Sequence, residues 1–266
     1  KYFKNIVMKT LKVIKIGGNI INNEVGLLSF LKGFSRLNGP KILVHGGGKL
    51  ASDLSNKMNI PVQLIDGRRV TNAETLDIIT MVYAGKINKN IVAKLQSFGC
   101  NSVGFTGADG NTIIANKRSE TPINYGFAGD IVKVDISILK ILINNNITNI
   151  FSAISHDEKG QLLNTNADTI ASELAIAFSN DYKVELYYCF EKKGVLQHTN
   201  DENSVIKKIN NQTYIELKKS NIINEGMIPK LDNCFYALDH NVSKVCIGQP
   251  TMLFDHHSNF TTIQKL

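Results

Sequence analysis

Short apolar runs alternate along the chain with longer segments in which apolar positions recur every three or four residues. The runs Leu11–Ile16, Lys41–His45, Ser102–Thr106, Asn149–Ser155, Val184–Phe190 and Lys244–Gly248 are rich in valine and isoleucine, as strands covered on both faces are. The segments Leu27–Leu37, Leu50–Met58, Ala73–Phe98, Ile136–Asn144, Ala167–Phe178 and Lys230–Leu238 are amphipathic and predict helices. Alternation of the two predicts an α/β fold with a mainly parallel sheet and right-handed connections. The stretch 111–135 breaks the rhythm. There Thr112–Asn116 and Asp130–Val134 predict an antiparallel hairpin, either a lid over a site or a decoration.

The first three strand candidates all run into glycine: Gly17-Gly18, Gly46-Gly47-Gly48, and Gly107 with Gly110. Ligands of open α/β sheets bind outside the carboxyl ends of the strands, and glycine lets backbone N–H groups approach a phosphate. Three such turns point to a phosphate site. The Gly-x-x-x-x-Gly-Lys-Ser/Thr loop, the Gly-x-Gly-x-x-Gly turn and the Gly-x-Ser-x-Gly elbow are all missing, which weighs against P-loop, dinucleotide and hydrolase chemistry.

Composition narrows the picture further. The chain has 266 residues, 43% of them hydrophobic, enough for one large domain or two lobes. Its formal charge of +7 comes from lysines scattered along the chain. That fits a solvated surface or an anionic ligand, and it disfavours nucleic-acid binding. Four cysteines at 100, 189, 234 and 246 form no Cys-x-x-Cys pair and predict reduced, buried thiols rather than a metal site. No apolar run is long enough to span a membrane, and the start lacks the features of a signal peptide, so a cytoplasmic protein is expected, with Met8 a candidate native start.

Five local patterns occur in a fixed order: Lys15-Ile16-Gly17-Gly18-Asn19, His45-Gly46-Gly47-Gly48, Asp66-Gly67-Arg68-Arg69-Val70-Thr71, Gly160-Gln161-Leu162-Leu163-Asn164-Thr165-Asn166-Ala167-Asp168, and Glu225-Gly226-Met227-Ile228-Pro229-Lys230. This set resembles the amino-acid kinase superfamily and, within it, the N-acetylglutamate kinases, over about Leu11 to Gly248. The resemblance implies a three-layer α/β/α sandwich. It implies a single kinase domain over 8–266, with an acylglutamate-binding lobe over about 8–180 and a nucleotide-binding lobe over about 181–266. The implied reaction is ATP- and Mg²⁺-dependent phosphorylation of the γ-carboxylate of N-acetyl-L-glutamate, in arginine biosynthesis.

The residue types suit that chemistry. A carboxylate acceptor is already an anion and needs no general base. The obstacle is its approach to a polyanionic triphosphate, which calls for positive charge and alignment. The resemblance gives Lys15 to the transferring phosphoryl group, Lys230 to the nucleotide side, and Asp168 to orienting both ammonium groups. It makes Gly17, Gly18 and Gly47 N–H donors to phosphoryl oxygens. Gly47 and Gly48 would meet the reacting carboxylate, Arg69 would clamp a substrate carboxylate, and Asn164 would bind the amino-acid end. On the nucleotide side it points to Glu191, Gly194, Val195, Ile223 and Asn224.

Two departures stand out. The usual Ser/Thr-Asp-Val-x-Gly-Val stretch is Phe190-Glu191-Lys192-Lys193-Gly194-Val195 here. Arg68 replaces an apolar residue before Arg69, and His156 follows Ser155, which raises an N-succinyl substrate as an alternative. The weakened nucleotide stretch raises a second, an inactive ligand sensor. The short stretch ahead of Lys15 predicts a homodimer without arginine feedback.

Overall fold

The computed structural model describes residues 8–65, 67–223, 227–255 and 257–265. Its centre is an eight-stranded sheet. Strand β1 (Thr10–Ile16) pairs in parallel with β2 (Lys41–His45) on one side and with β11 (Lys183–Cys189) on the other. Beyond β2 lie β8 (Thr148–Ser152) and then β5 (Ser102–Phe105), both parallel. Beyond β11 come parallel β13 (Lys244–Gly248), antiparallel β14 (Thr261–Ile263) and the short β12 (Lys208–Ile209). Every residue of β2 and β8 is buried, the polar Lys41, His45, Thr148, Asn149 and Ser152 included.

Helices cover both faces. The connections out to β2 and β5 carry α1 (Gly18–Asn22), α2 (Glu24–Ser35), α3 (Gly48–Lys57), α4 (Ala73–Ile79) and α5 (Asn88–Ser97). Connections in the opposite direction carry α6 (Ser137–Asn144), α7 (Ala167–Phe178), α8 (Asn211–Lys219) and α9 (Ile228–Asp239). Right-handed crossovers leading in opposite directions put the two sets on opposite faces, so the sheet order reverses direction at β1. Lys41, only 7% exposed, starts β2 and donates to the carbonyls of Ser35 (3.0 Å) and Leu37 (2.8 Å) at the end of α2. A buried ammonium is thus spent on helix-end carbonyls.

Three expectations change. The run Asn149–Ser155 is two strands, β8 in the main sheet and β9 (Ile154–His156) in a second sheet of order β10-β9-β6-β7. Both halves are buried, so the apolar pattern carries no mark of the switch. The span Ala73–Phe98 is three segments: between α4 and α5 the chain winds as a π-helix over Thr80–Ile87. Helix α8 was not expected; it is largely polar and is started by Asn210, whose side chain accepts from Thr213 N (2.8 Å).

The hairpin strands β6 (Ile113–Lys117) and β7 (Gly129–Val134) fall close to their expected places, and with β10 (Leu162–Asn164) they complete the second sheet. Their connecting loop straps over the chain at Thr71. Thr71 N donates to Tyr125 O (2.9 Å), Phe127 N to Thr71 O (2.7 Å), and Asn164 N to Phe127 O (2.8 Å). Gly126 sits at φ +67° with its Cα against the Thr71 carbonyl, where any Cβ would collide. Gly99, at φ +72°, has no neighbour within 4 Å of such a Cβ. Replacing Gly99 by alanine therefore carries the left-handed backbone cost alone, about 1 kcal/mol. Gly126→Ala adds the collision and is expected to lose about 1–3 kcal/mol more in urea unfolding; equal losses would refute the strap's tight seat.

Candidate active site

Lys15 is the penultimate residue of β1, and its side chain rises on the α7 face at the carboxyl end of the sheet. Asp168 stands in the first turn of α7, after Asn166 has capped that helix by accepting from Asp168 N (2.7 Å) and Thr169 N (3.3 Å). Lys230 lies in the first turn of α9, behind Pro229. The three side chains meet. Lys15 Nζ is 2.7 Å from Asp168 Oδ1, and Lys230 Nζ is 2.6 Å from Oδ2. Each keeps only 14–17% of its side-chain exposure. Burial pushes the Asp168 carboxyl up, but the Lys15 and Lys230 charges outweigh it and hold the group well below the usual carboxylate range.

Beneath this cluster lies Tyr188, on β11 in register with Lys15 and 1% exposed. Its hydroxyl donates to Asp168 O (3.1 Å), and Lys230 Nζ sits 5.2 Å from its ring centroid. No motif in the sequence marks this residue; only its register with Lys15 does.

The Gly46-Gly47-Gly48 turn follows β2 at the same rim, and a Cβ on Gly46 would lie 3.9 Å from Ala167 Cβ, beside Asp168. Gly47 is backed by Ile87 and Tyr83 of the π-helix so closely that a Cβ would collide with both. Buried His45 anchors the turn from below. Its Nδ1 lies 2.9 Å from Gly46 O, and its Nε2 is 3.1 Å from Asn88 Nδ2, which also donates to Ile150 O (2.9 Å). Because Asn88 Nδ2 is a donor, His45 Nε2 accepts and Nδ1–H donates to Gly46 O. Burial lowers the His45 pKa to about 4, so the ring is neutral at pH 7.

Arg69 belongs to the two-residue strand β4 (Arg68–Arg69), paired with β3 (Leu64–Ile65). Its Nη2 donates to Gly48 O (2.9 Å) and to Ser52 Oγ (2.7 Å), which brings the guanidinium to the glycine turn. Asn164 ends β10, and its Nδ2 donates to Thr71 Oγ1 (3.0 Å), whose hydroxyl in turn donates to Arg69 O (3.1 Å). One chain of bonds thus ties Asn164 to Arg69. Sequence reasoning did not find Ser52, Tyr83, Asn88 or Thr71 as its supports.

Other expected residues do not join this constellation. Arg68 is exposed, and strand alternation turns it away from the side where Arg69 meets Gly48. The Gly17 N–H is engaged with Cys189 O (3.1 Å), and Gly18 opens α1. Val195 is 2% exposed, with its N–H donated to Thr261 Oγ1 (2.8 Å), and a Cβ on Gly194 would lie 2.6 Å from that same oxygen. Ile223 is buried in the core, Glu191 is exposed, and Asn224 lies outside the described residues, as does the Glu225-Gly226 part of its motif. Among the described residues no group of three or more His, Cys, Asp or Glu side chains could hold a metal ion, and no helix is long and apolar enough to cross a membrane.

Residues 10–249 match the Amino acid kinase family. The chain belongs to that family. Among its relatives, the acetylglutamate kinase of Cytophaga hutchinsonii is 53% identical over 249 residues, covering 93% of this chain and 94% of the relative. The acetylglutamate kinase of Bacteroides thetaiotaomicron is 46% identical, covering 96% and 98%. Of solved structures, smu.665 from Streptococcus mutans UA159 superposes with a TM-score of 0.80 at 26% identity, covering 96% of this chain and 98% of that one. The amino acid kinase architecture places the two lysines, the aspartate and the glycine turns at the rim of a parallel sheet, the position that ligands of such sheets occupy.

The buried neutral histidine leads to a pH dependence. A folded pKa of about 4 against an ordinary 6.5 means the unfolded chain binds the extra proton first. The His45 contribution is therefore complete above about pH 6.5, is lost progressively as pH falls, and levels off below about pH 4, a total of about 3 kcal/mol. Urea unfolding of wild type and His45→Asn across pH 7.5 to 4.5 checks this. The wild type is expected to lose about 2 kcal/mol more than the variant; parallel losses would refute the assignment.

Proposed function

We propose that this chain transfers the γ-phosphoryl group of ATP to the γ-carboxylate of N-acetyl-L-glutamate, giving an acyl phosphate. The observation that carries the reading is the meeting of Lys15 and Lys230, distant in sequence, on the two oxygens of one carboxylate at the sheet's rim. The names of the acetylglutamate kinases of C. hutchinsonii and B. thetaiotaomicron supply the acceptor.

In this reading, phosphates displace the ammonium groups only partly from Asp168, which keeps both aimed inward. Lys15 neutralises charge on the transferring group, and Lys230 stabilises charge building on the bridging oxygen. N–H groups of Gly18 and Gly47 bind phosphoryl oxygens, and the turn at Gly47 and Gly48 receives the acceptor. Arg69 holds the substrate carboxylate away from the reacting end, and Asn164 holds the amino-acid end. Mg²⁺, if bound, would screen the charge of the nucleotide's phosphates; Asp168, the carboxylate of the lysine cluster, is already engaged by both ammonium groups. The lobe over about 8–180 supplies the acyl side, and the lobe over about 181–266 supplies the nucleotide side. Arg68, turned outward, gives the succinyl alternative no support.

Hydroxylamine trapping of the product tests the reaction with N-acetyl-, N-succinyl- and free glutamate. N-acetylglutamate is expected to give the hydroxamate at the highest rate; preference for N-succinylglutamate, or no hydroxamate at all, would overturn the reading. Lys15→Ala and Lys230→Ala are each expected to lower turnover by at least ~100-fold while the far-ultraviolet circular dichroism stays that of wild type. Asp168→Asn leaves two half-buried ammonium groups without a counter-charge and is expected to lower stability by about 2 kcal/mol. Saturating ATP, whose phosphates offer a substitute counter-charge, is expected to raise the melting temperature of that variant more than that of wild type.

A further inference from the structure

Nη2 of Arg69 donates to Gly48 O at 2.9 Å and to Ser52 Oγ at 2.7 Å, and the Tyr83 hydroxyl bonds to the same guanidinium, while Nη1 is buried and has no hydrogen bond to protein among the described residues. A buried, unpaired guanidinium nitrogen costs free energy, so its retention points to a ligand that fills it. The other edge closes on itself. Ser52 Oγ, one turn along α3, accepts from Arg69 and donates to Gly48 O (3.0 Å). Gly48 O thus receives two side-chain donors, and Ser52 Oγ uses both its donor and an acceptor site, so every member of the triangle is paired. The Tyr83 hydroxyl, 3.8 Å from where a Gly48 Cβ would stand, flanks the same spot.

This triangle couples two parts that the reaction must keep in register. Gly48 belongs to the turn that receives the reacting carboxylate, and Arg69 arrives from a separate two-residue strand on an exposed ribbon. Nothing intrinsic to a two-residue strand fixes a long, rotamer-rich arginine. The hydroxyl that bonds to both supplies the fixed distance between the two ends of the acceptor.

We infer that Ser52 is a positioning residue: it turns the Arg69 guanidinium so that its unpaired Nη1 edge meets the acceptor's distal carboxylate at a set distance from the Gly47–Gly48 turn. This rests on the acylglutamate reading above and adds a residue to it. Ser52 itself touches no substrate. Its loss leaves the guanidinium with fewer holds, the Gly48 carbonyl and the Tyr83 hydroxyl, and loosens its aim, which weakens acceptor binding and leaves the lysine cluster and the nucleotide side as they were.

The test compares wild type, Ser52→Ala, Ser52→Thr and Arg69→Ala in the hydroxamate assay, with Kd for N-acetylglutamate from calorimetry and melting temperature as a check on folding. Ser52→Ala is expected to raise KM and Kd for N-acetylglutamate about tenfold, the worth of one charge-assisted bond. Its KM for ATP and its kcat are expected to stay within about twofold, and Ser52→Thr, which keeps the hydroxyl, to restore acceptor binding. In Arg69→Ala, a further Ser52→Ala change is expected to have no added effect on acceptor Kd. Unchanged acceptor binding in Ser52→Ala overturns the inference. So does an equal rise in both KM values, or the same tenfold loss persisting in the Arg69→Ala background. Should Ser52→Ala fail to fold, Ser52→Cys, a weaker hydrogen-bonding isostere, is expected to give an intermediate Kd, and a wild-type Kd there would equally overturn it. Wild-type turnover in the same assay reports separately on the acylglutamate reading.

Discussion

The site depends on one carboxylate that answers two positive charges. Asp168 holds Lys15 from β1 and Lys230 from α9 within 2.7 Å of its oxygens, in a rim where each side chain keeps 14–17% exposure. Without it, two like charges would face each other in a poorly solvated cleft, and each would swing outward to water. With it, the net charge of the cluster is +1, and the ammonium groups are fixed before any ligand arrives. Such preorganisation is what stabilises developing charge without reorganisation cost at the moment of transfer.

The fold delivers these groups by simple means. A parallel sheet whose order reverses direction at β1 brings the ends of β1, β2 and β11 to one edge. Helices α7 and α9 start at that edge, which puts Asp168 and Lys230 in their first turns. The surroundings of Arg69 and Asn164 are built differently. They hang on hydrogen bonds between irregular segments: the strap at Tyr125–Phe127, Thr71, Asn164 and the Arg69–Ser52–Gly48 triangle. The lysine–aspartate cluster is thus carried by the main sheet, and Arg69 and Asn164 by loops that the second sheet supports.

How much of this the sequence disclosed follows the same division. Strands β1, β2 and β13 and helix α7 were legible within about one residue, because strands covered on both faces keep a run of Val, Ile and Leu and because Asn166 and Gly46 mark ends. Lys15, Asp168 and Lys230 were legible because charged residues at the ends of apolar elements are unusual and because they sit in an ordered set of motifs. The break between β8 and β9 was not legible, since Ala153 is as buried as its neighbours. Nor was Ser52, whose role arises from a contact 17 positions away along the chain. Arg68 and Arg69 adjoin in sequence but face opposite sides of their strand, a difference that adjacency alone does not reveal.

The π-helical passage over Thr80–Ile87 has a further consequence. Each α-helical residue turns the chain by about 100°, and a wider turn delays that rotation. Tyr83 and Ile87 therefore back the glycine turn while Asn88, the next residue, faces His45 and the Ile150 carbonyl. The wider winding acts as a phase adjuster between two helices that serve different neighbours. Removing a single residue anywhere within it would rotate everything downstream by about a quarter circle, and Asn88 would then look past the two strands it now joins.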